Sequence, residues 1–306
     1  MNRIKKTSLL VFILISSLSI GQSSSDVSMI KEHLTKITKS KVYRNHTNIE
    51  QLNKIADYIK TEFSKYSDEV SFQEYSVENR KYKNVICSFG LEHKKRIVIG
   101  AHYDVCGNQE GADDNASGVV GLIELSRLLQ GKKTNYRIDL VAYTLEEPPY
   151  FRTNKMGSFI HAKSLHDANI DVYGMISLEM IGYFSDVPNS QHYPVASLSS
   201  IYGNKGDYIT LVNKSNKQKF ARDFCSIFKN NKTIKTTIFD NPMSLESVEL
   251  SDHLNYWKLG YDALMVTDTA FLRNKNYHRN SDKMETLDFD KMAKVIDGVL
   301  LTLLKI

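Results

Sequence analysis

Apolar and polar positions along this chain switch between two periods, and the switches mark its elements. Ile49, Leu52, Ile55, Ala56, Ile59 and Phe63 form a helical stripe, preceded by Thr47 and Glu50 at the spacing of a capping box. An amphipathic covering helix is predicted there. Short apolar runs then predict strands around Val70–Tyr75, Asn84–Ser88, Arg96–Ala101, Ile138–Thr144, Met175–Leu178 and Ala263–Thr267. Helical spacing recurs around Ser117–Leu129, Met156–Leu165, Ser215–Phe228 and Asp288–Leu304. Such alternation predicts an α/β fold. The runs Ile97–Ile99 and Ile138–Ala142 are largely continuous, as expected of parallel central strands covered on both faces. With five prolines in 306 residues and neither repeat nor low-complexity linker, one domain is expected over 22–306. Tyr183–Gly206 reads as a long loop, and long loops in compact domains tend to carry function.

The first residues have a different character. Arg3, Lys5 and Lys6 precede an apolar stretch from Leu9 to Ile20, and small Ser19 and Gly21 stand before Gln22. This is the pattern of a signal peptide over 1–21, cleaved near Gly21-Gln22, so an exported protein is expected. The stretch falls short of the roughly 20 residues of a spanning helix, which argues against stable membrane insertion. The formal net charge is +5, and setting aside the three leader cations leaves +2. A near-neutral chain lacks the basic stripe that nucleic acid demands, so a small molecule or peptide is the expected partner. Three cysteines are too few for a disulfide scaffold, but Cys87 and Cys106 lie near neighbouring strand signals and form a candidate pair.

In open α/β sheets the binding crevice lies beyond the carboxyl ends of the strands. Here the predicted strands lead into His102, into Glu146-Glu147, into Glu179 and, through a loop, to His278. Asp113-Asp114 sits in a glycine-flanked loop just before a predicted helix. Each residue alone has an ordinary structural reading: core histidine, helix cap, exposed loop residue. So many ionisable groups converging on one crevice would repel and desolvate one another unless a cation neutralised them. Mixed imidazole and carboxylate ligands suit zinc, or less specifically manganese or cobalt, and disfavour calcium and magnesium. Five candidate ligands, His102, one of the Glu146-Glu147 pair, Glu179, His278 and an acid of the Asp113-Asp114 pair, exceed the needs of one catalytic zinc and imply two metals sharing a carboxylate, for which Asp114 is the natural bridge. Asp104, two residues beyond His102, is placed to orient that imidazole. Of the adjacent pair Glu146 and Glu147, one would bind metal and the other act as general base, with Pro148-Pro149 expected to hold the pair extended.

The motifs Gly100–Asp104, Gly111–Gly118, Glu146-Glu147, Ser177–Met180, Ser251–His253 and Tyr277-His278 resemble, in order and separation, the exported dizinc aminopeptidases typified by bacterial leucyl aminopeptidase. Their wider superfamily includes glutaminyl cyclases and transferrin-receptor-like proteins. The resemblance runs from about Asn84 to Met292 and implies a three-layer sandwich around a mixed, mostly parallel sheet of the zinc-peptidase type. It further implies that His102 and Glu179 hold one Zn2+, Glu147 and His278 the other, that Asp114 bridges them, and that Glu146 is the base. It aligns Asp252 and His253 with a segment lining the family crevice. Two departures stand out: Glu179 occupies a position where many members carry Asp, and the turn after the Glu pair is lengthened over 148–158.

The expected activity is hydrolysis of the N-terminal peptide bond of peptides with a free N-terminus. Tyr150, Phe151, Phe271 and Tyr277 are candidates for the substrate pocket, with core packing as the competing account of the aromatic rings. A single-zinc glutaminyl cyclase is the first alternative, weakened by the complete Asp113–Gly118 loop and by Tyr277 where a cyclase would carry Trp. An inactive receptor-like ectodomain is the second, weakened by the full set of candidate ligands. A serine hydrolase finds no G-x-S-x-G elbow.

Overall fold

In the computed structural model, which describes residues 24–214, 218–240 and 248–306, one eight-stranded sheet organises the chain. Its strands are β1 (Glu69–Val77), β2 (Arg80–Phe89), β3 (Arg96–His102), β4 (Arg137–Tyr143), β5 (Val172–Glu179), β6 (Ile209–Asn213), β7 (Thr236–Phe239) and β8 (Ala263–Thr267). They lie in the order β1-β2-β4-β3-β5-β8-β6-β7. The central run β4-β3-β5-β8 is parallel throughout. Antiparallel pairings join β1 to β2, β2 to β4 and β6 to β8, while β6 and β7 are parallel.

Alternation along the central strands feeds two cores. Ile97, Ile99 and Ala101 of β3 face helices α1 (Val27–Thr38), α2 (Ile49–Phe63), α3 (Gly118–Leu129), α6 (Lys219–Asn231) and α8 (Phe289–Leu303). Val98 of β3, Val141 of β4 and Met175 of β5 face α4 (Gly157–Asp167) and α7 (His253–Lys258). Helices on both faces make three layers, as the continuous apolar runs anticipated. A five-residue helix, α5 (Leu198–Tyr202), interrupts the expected loop Tyr183–Gly206, whose ends are pinned by a bridge between Ser185 and Gly206.

Four local expectations are corrected. Asn48 rather than Thr47 precedes α2, and it makes no side-chain cap; Thr47 instead donates its hydroxyl to Asn45 Oδ1 at 2.7 Å, so the capping box does not form. After the Glu pair the chain turns at once through a cis Pro148-Pro149 bond, with the Tyr150 amide donating to the Glu147 carbonyl at 3.0 Å, rather than staying extended. All three cysteines are free: Cys87 is buried in the core and Cys106 stands in the loop after β3. The predicted helix at Ser215 begins at Lys219, with 215–217 outside the described residues. The signal-peptide reading also falls outside them. None of the helices among the described residues is long and apolar enough to cross a membrane.

Gly100 lies two residues before His102, and a Cβ there would stand 2.1 Å from the ring of Tyr143 on β4. That ring cannot give way easily, because its hydroxyl is hydrogen-bonded to Tyr256 at 2.8 Å in the second core. Gly100→Ala is therefore expected to destabilise the fold by about 1–3 kcal/mol through overpacking, read as a lower urea midpoint. A midpoint equal to that of the parent would show that β3 and β4 yield more than this packing allows.

Candidate metal centre

The carboxyl ends of the four parallel strands deliver the chemistry. His102 closes β3, Glu146 and Glu147 follow β4, Glu179 closes β5, and His278 follows β8 after a loop. Asp114 enters from the loop between β3 and α3, beside a cis peptide to Asn115. Leu145, Met180 and His278 all adopt left-handed backbone, with φ of 60°, 51° and 55°. Non-glycine residues tolerate this conformation only where the surroundings impose it.

Two imidazoles approach opposite oxygens of one carboxylate. His102 Nε2 lies 3.4 Å from Asp114 Oδ1, and His278 Nε2 lies 3.1 Å from Asp114 Oδ2. His102 Nε2 is also 3.4 Å from Glu179 Oε2, and His278 Nε2 is 3.2 Å from Glu147 Oε2. Ligands about 2.0–2.1 Å from a shared tetrahedral ion stand about 3.3 Å apart, so these separations are those of atoms spaced around a cation. His102, Asp114 and Glu147 each offer a ligand atom within 4.8 Å of the others. Glu147 Oε1 is buried without a hydrogen-bond partner. Orphaned buried oxygens are costly, and a divalent ion would satisfy them. Glu146, the remaining carboxylate, has Oε2 3.7 Å from His102 Nε2.

Supporting contacts fix each group. Asp104 accepts the main-chain N–H groups of Glu146 and Glu147 at 3.2 and 3.1 Å, clamping the pair through two amides. His102 Nδ1 lies 3.2 Å from the Asp104 main-chain carbonyl, closer than the 3.6 Å to its carboxylate. Ser251 donates to Glu179 Oε2 at 2.7 Å. Sequence reasoning missed the groups behind the Asp114 loop. Asp282 accepts the amides of Asp113 and Asp114 at 2.9 and 3.1 Å, and buried Arg44 donates to the Glu110 and Gly111 carbonyls. No spacing rule marks a lone acid or a lone arginine so far away in sequence. Asp113 does not join the cluster of ligand atoms, since its oxygens accept from Gly182 and Asn274.

The candidate pocket residues separate. Phe271 and Tyr277 line an apolar cavity that opens against Glu179. Tyr150 lines another depression, with its hydroxyl 3.2 Å from Glu78, and Phe151 is outside the apolar cavity. His253 is fully buried, its Nε2 on the Val248 carbonyl and its ring 4.5 Å from Trp257, so it faces the core. Asp252 is fully buried with both oxygens unpartnered, and burial, opposed by His102, lifts its carboxyl to about 7.

Electrostatics follow from crowding. Burial, reinforced by Asp114, raises the Glu147 carboxyl to about 8, and burial likewise raises Glu146 and Glu179. Burial works against charge on His278, yet Asp114 and Glu147 hold its imidazole up at about 10. Crowding of carboxylates thus favours their protonated forms and the charged forms of the imidazoles between them.

The carboxyl edge of the mostly parallel sheet thus carries a buried imidazole–carboxylate cluster. The chain belongs to peptidase family M28, whose sequence pattern matches residues 84–303. It is 40% identical over 265 residues to the uncharacterized protein YfbL of Escherichia coli (strain K12), covering 84% of this chain and 81% of that one. Leucine aminopeptidase 1 of Trichophyton rubrum is 29% identical over 231 residues, 68% of this chain and 54% of the relative, so the chain spans about half the length of that fungal enzyme. Among solved structures, Legionella LapA superposes with a TM-score of 0.72 at 19% identity, covering 92% of this chain and 73% of the other. The glutaminyl cyclase of Tannerella forsythia superposes at 0.69 and 19% identity, covering 93% and 100%. These likenesses establish the fold and are shared by two different activities.

If Glu147 and His278 hold zinc, the metal must displace their protons, so zinc binding is expected to release protons at about pH 7 and to tighten as pH rises towards about 8. Calorimetry in buffers of different ionisation enthalpy measures the count. Zinc affinity that stays flat across this range would contradict the proton-filled cluster.

Proposed function

We propose that this protein is a two-metal aminopeptidase that removes the N-terminal residue of peptides. The reading is carried by Asp114, whose two oxygens are approached by His102 on one side and His278 on the other, as a bridging carboxylate requires. His102 and Glu179 would hold one zinc, Glu147 and His278 the other. When bound, the ions supply Lewis acidity towards the scissile carbonyl and towards water.

The protein's own groups do the rest. Glu146 is the carboxylate beside the cluster not needed as a ligand, and it takes a proton from the attacking water and returns it to the departing amine. Asp104 keeps that carboxylate in place through the Glu146 and Glu147 amides, so proton transfer starts from a fixed geometry. The apolar cavity against Glu179, walled by Tyr202, Val212, Phe239, Met265 and Phe271, receives the side chain of the N-terminal residue. Its lining favours a bulky apolar or aromatic side chain over an acidic one. Export after cleavage near Gly21-Gln22 belongs to the same proposal and rests on the sequence pattern.

Glu146→Gln is expected to lower turnover by about 10²–10⁴ while bound metal is unchanged, measured on aminoacyl chromogenic substrates beside metal analysis. Undiminished turnover would remove Glu146 from the base role. On the parent protein, leucyl and phenylalanyl substrates should be cleaved faster than glutamyl ones, and acetylation of the amine should abolish cleavage. Cleavage of the acetylated substrates would contradict exopeptidase action. Release of ammonia from an N-terminal glutamine peptide, without free amino acid, would identify a cyclase instead.

A further inference from the structure

Cys106 stands outside the residues that the proposed mechanism uses, yet it stands at its edge. Its Sγ, an oxygen of Glu147 and a ring nitrogen of His278 all lie within 4.8 Å of one another. The thiol is half-buried, four residues beyond His102 in the loop that leaves β3. No disulfide occupies it. Glu147 is 3% exposed, and its Oε1 has no hydrogen-bond partner. The set therefore combines a free thiol, an unsatisfied buried carboxylate oxygen and an imidazole in a space that one ion spans.

We propose that Cys106 is a thiolate ligand of the ion held by Glu147 and His278. The inference rests on the two-metal reading but adds a donor to it. With Asp114, that ion has four protein donors, Cys106 Sγ, Glu147, His278 and Asp114, whereas the ion at His102 and Glu179 has only nitrogen and oxygen donors. On binding, the thiol proton leaves to solvent and the sulfur lone pair enters the metal–ligand bond, with no change of oxidation state. A soft thiolate selects zinc or cobalt over magnesium, calcium and manganese. Four protein donors also leave less room for exchange than the three of a typical catalytic zinc. The two positions therefore differ in kind: the Cys106 position retains its ion, and the His102–Glu179 position exchanges it.

Cobalt(II) reports both facts, because thiolate ligation gives a near-ultraviolet charge-transfer band whereas visible bands arise from any tetrahedral or five-coordinate site. The full chain, stripped with chelator and reloaded with cobalt(II), should bind two ions and show the near-ultraviolet band. Cys106→Ser should lose that band while keeping its visible bands. A Cys87→Ser, Cys225→Ser double variant should retain the near-ultraviolet band, since both residues are buried away from the cluster. Competing chelator should strip cobalt from the parent in two phases, with the band lost in the slower one, and Cys106→Ser should merge them. If the parent binds two cobalt ions without the band, Cys106 is not a ligand, although the two-metal reading survives. If the parent binds one ion and shows the band, Cys106 is a ligand and the two-metal reading fails; if it binds fewer than two without the band, both fail. Should Cys106→Ser not fold, modification of the metal-free parent by a thiol reagent decides: bound zinc should protect Cys106 from labelling, and equal labelling with and without zinc would overturn the assignment.

Discussion

Carboxylates cannot be gathered in a buried pocket without something positive among them. Asp114, Glu146, Glu147 and Glu179 all lie at 6% exposure or less, within reach of two imidazoles. Burial drives Glu146, Glu147 and Glu179 towards their protonated forms, while Asp114 is held down by the two histidines against its own desolvation. On the two-metal reading, the protons on Glu147 and Glu179 are ones a divalent ion would displace, while that on Glu146 is not. Much of the surrounding structure serves to keep those groups from moving apart.

The sheet does the gathering. Four consecutive parallel strands end at one edge, so residues far apart in sequence arrive side by side without any direct bond between them. Loops then supply what strands cannot. Asp104 binds two amides of the Glu pair, and Asp282 binds two amides of the Asp114 loop. In both cases a carboxylate orders a neighbouring acidic segment by accepting its main-chain donors. Arg44, buried beneath the same loop, holds the carbonyls that Asp282 leaves over.

Much of this was legible in the sequence because strand ends are legible. The runs before His102, Glu146, Glu179 and the His278 loop carry period and length enough to be recognised, and the expected clustering follows from one rule about α/β sheets. Less visible were β6 and β7: the first pairs antiparallel to β8, and the second is a four-residue strand at the sheet's edge, so neither repeats the strand–helix rhythm. The helix α1 carried its own stripe of Ile30, Leu34 and Ile37 behind an Asp26 cap, and the stripe lay unread beside the leader. Side-chain contacts across the fold were illegible for a different reason. Thr47 could cap α2 by spacing alone, but Asn45 competes for its hydroxyl, and Cys87 lies on β2 in the core whereas Cys106 stands in the loop after β3, with both thiols free.

The decisive measurement is anomalous diffraction at the zinc absorption edge from crystals of the protein purified without chelator. Two peaks flanking Asp114 are predicted, one between His102 and Glu179 and the other between Glu147 and His278. A single peak, or none at this cluster, would contradict the claim that these side chains are gathered around a pair of ions.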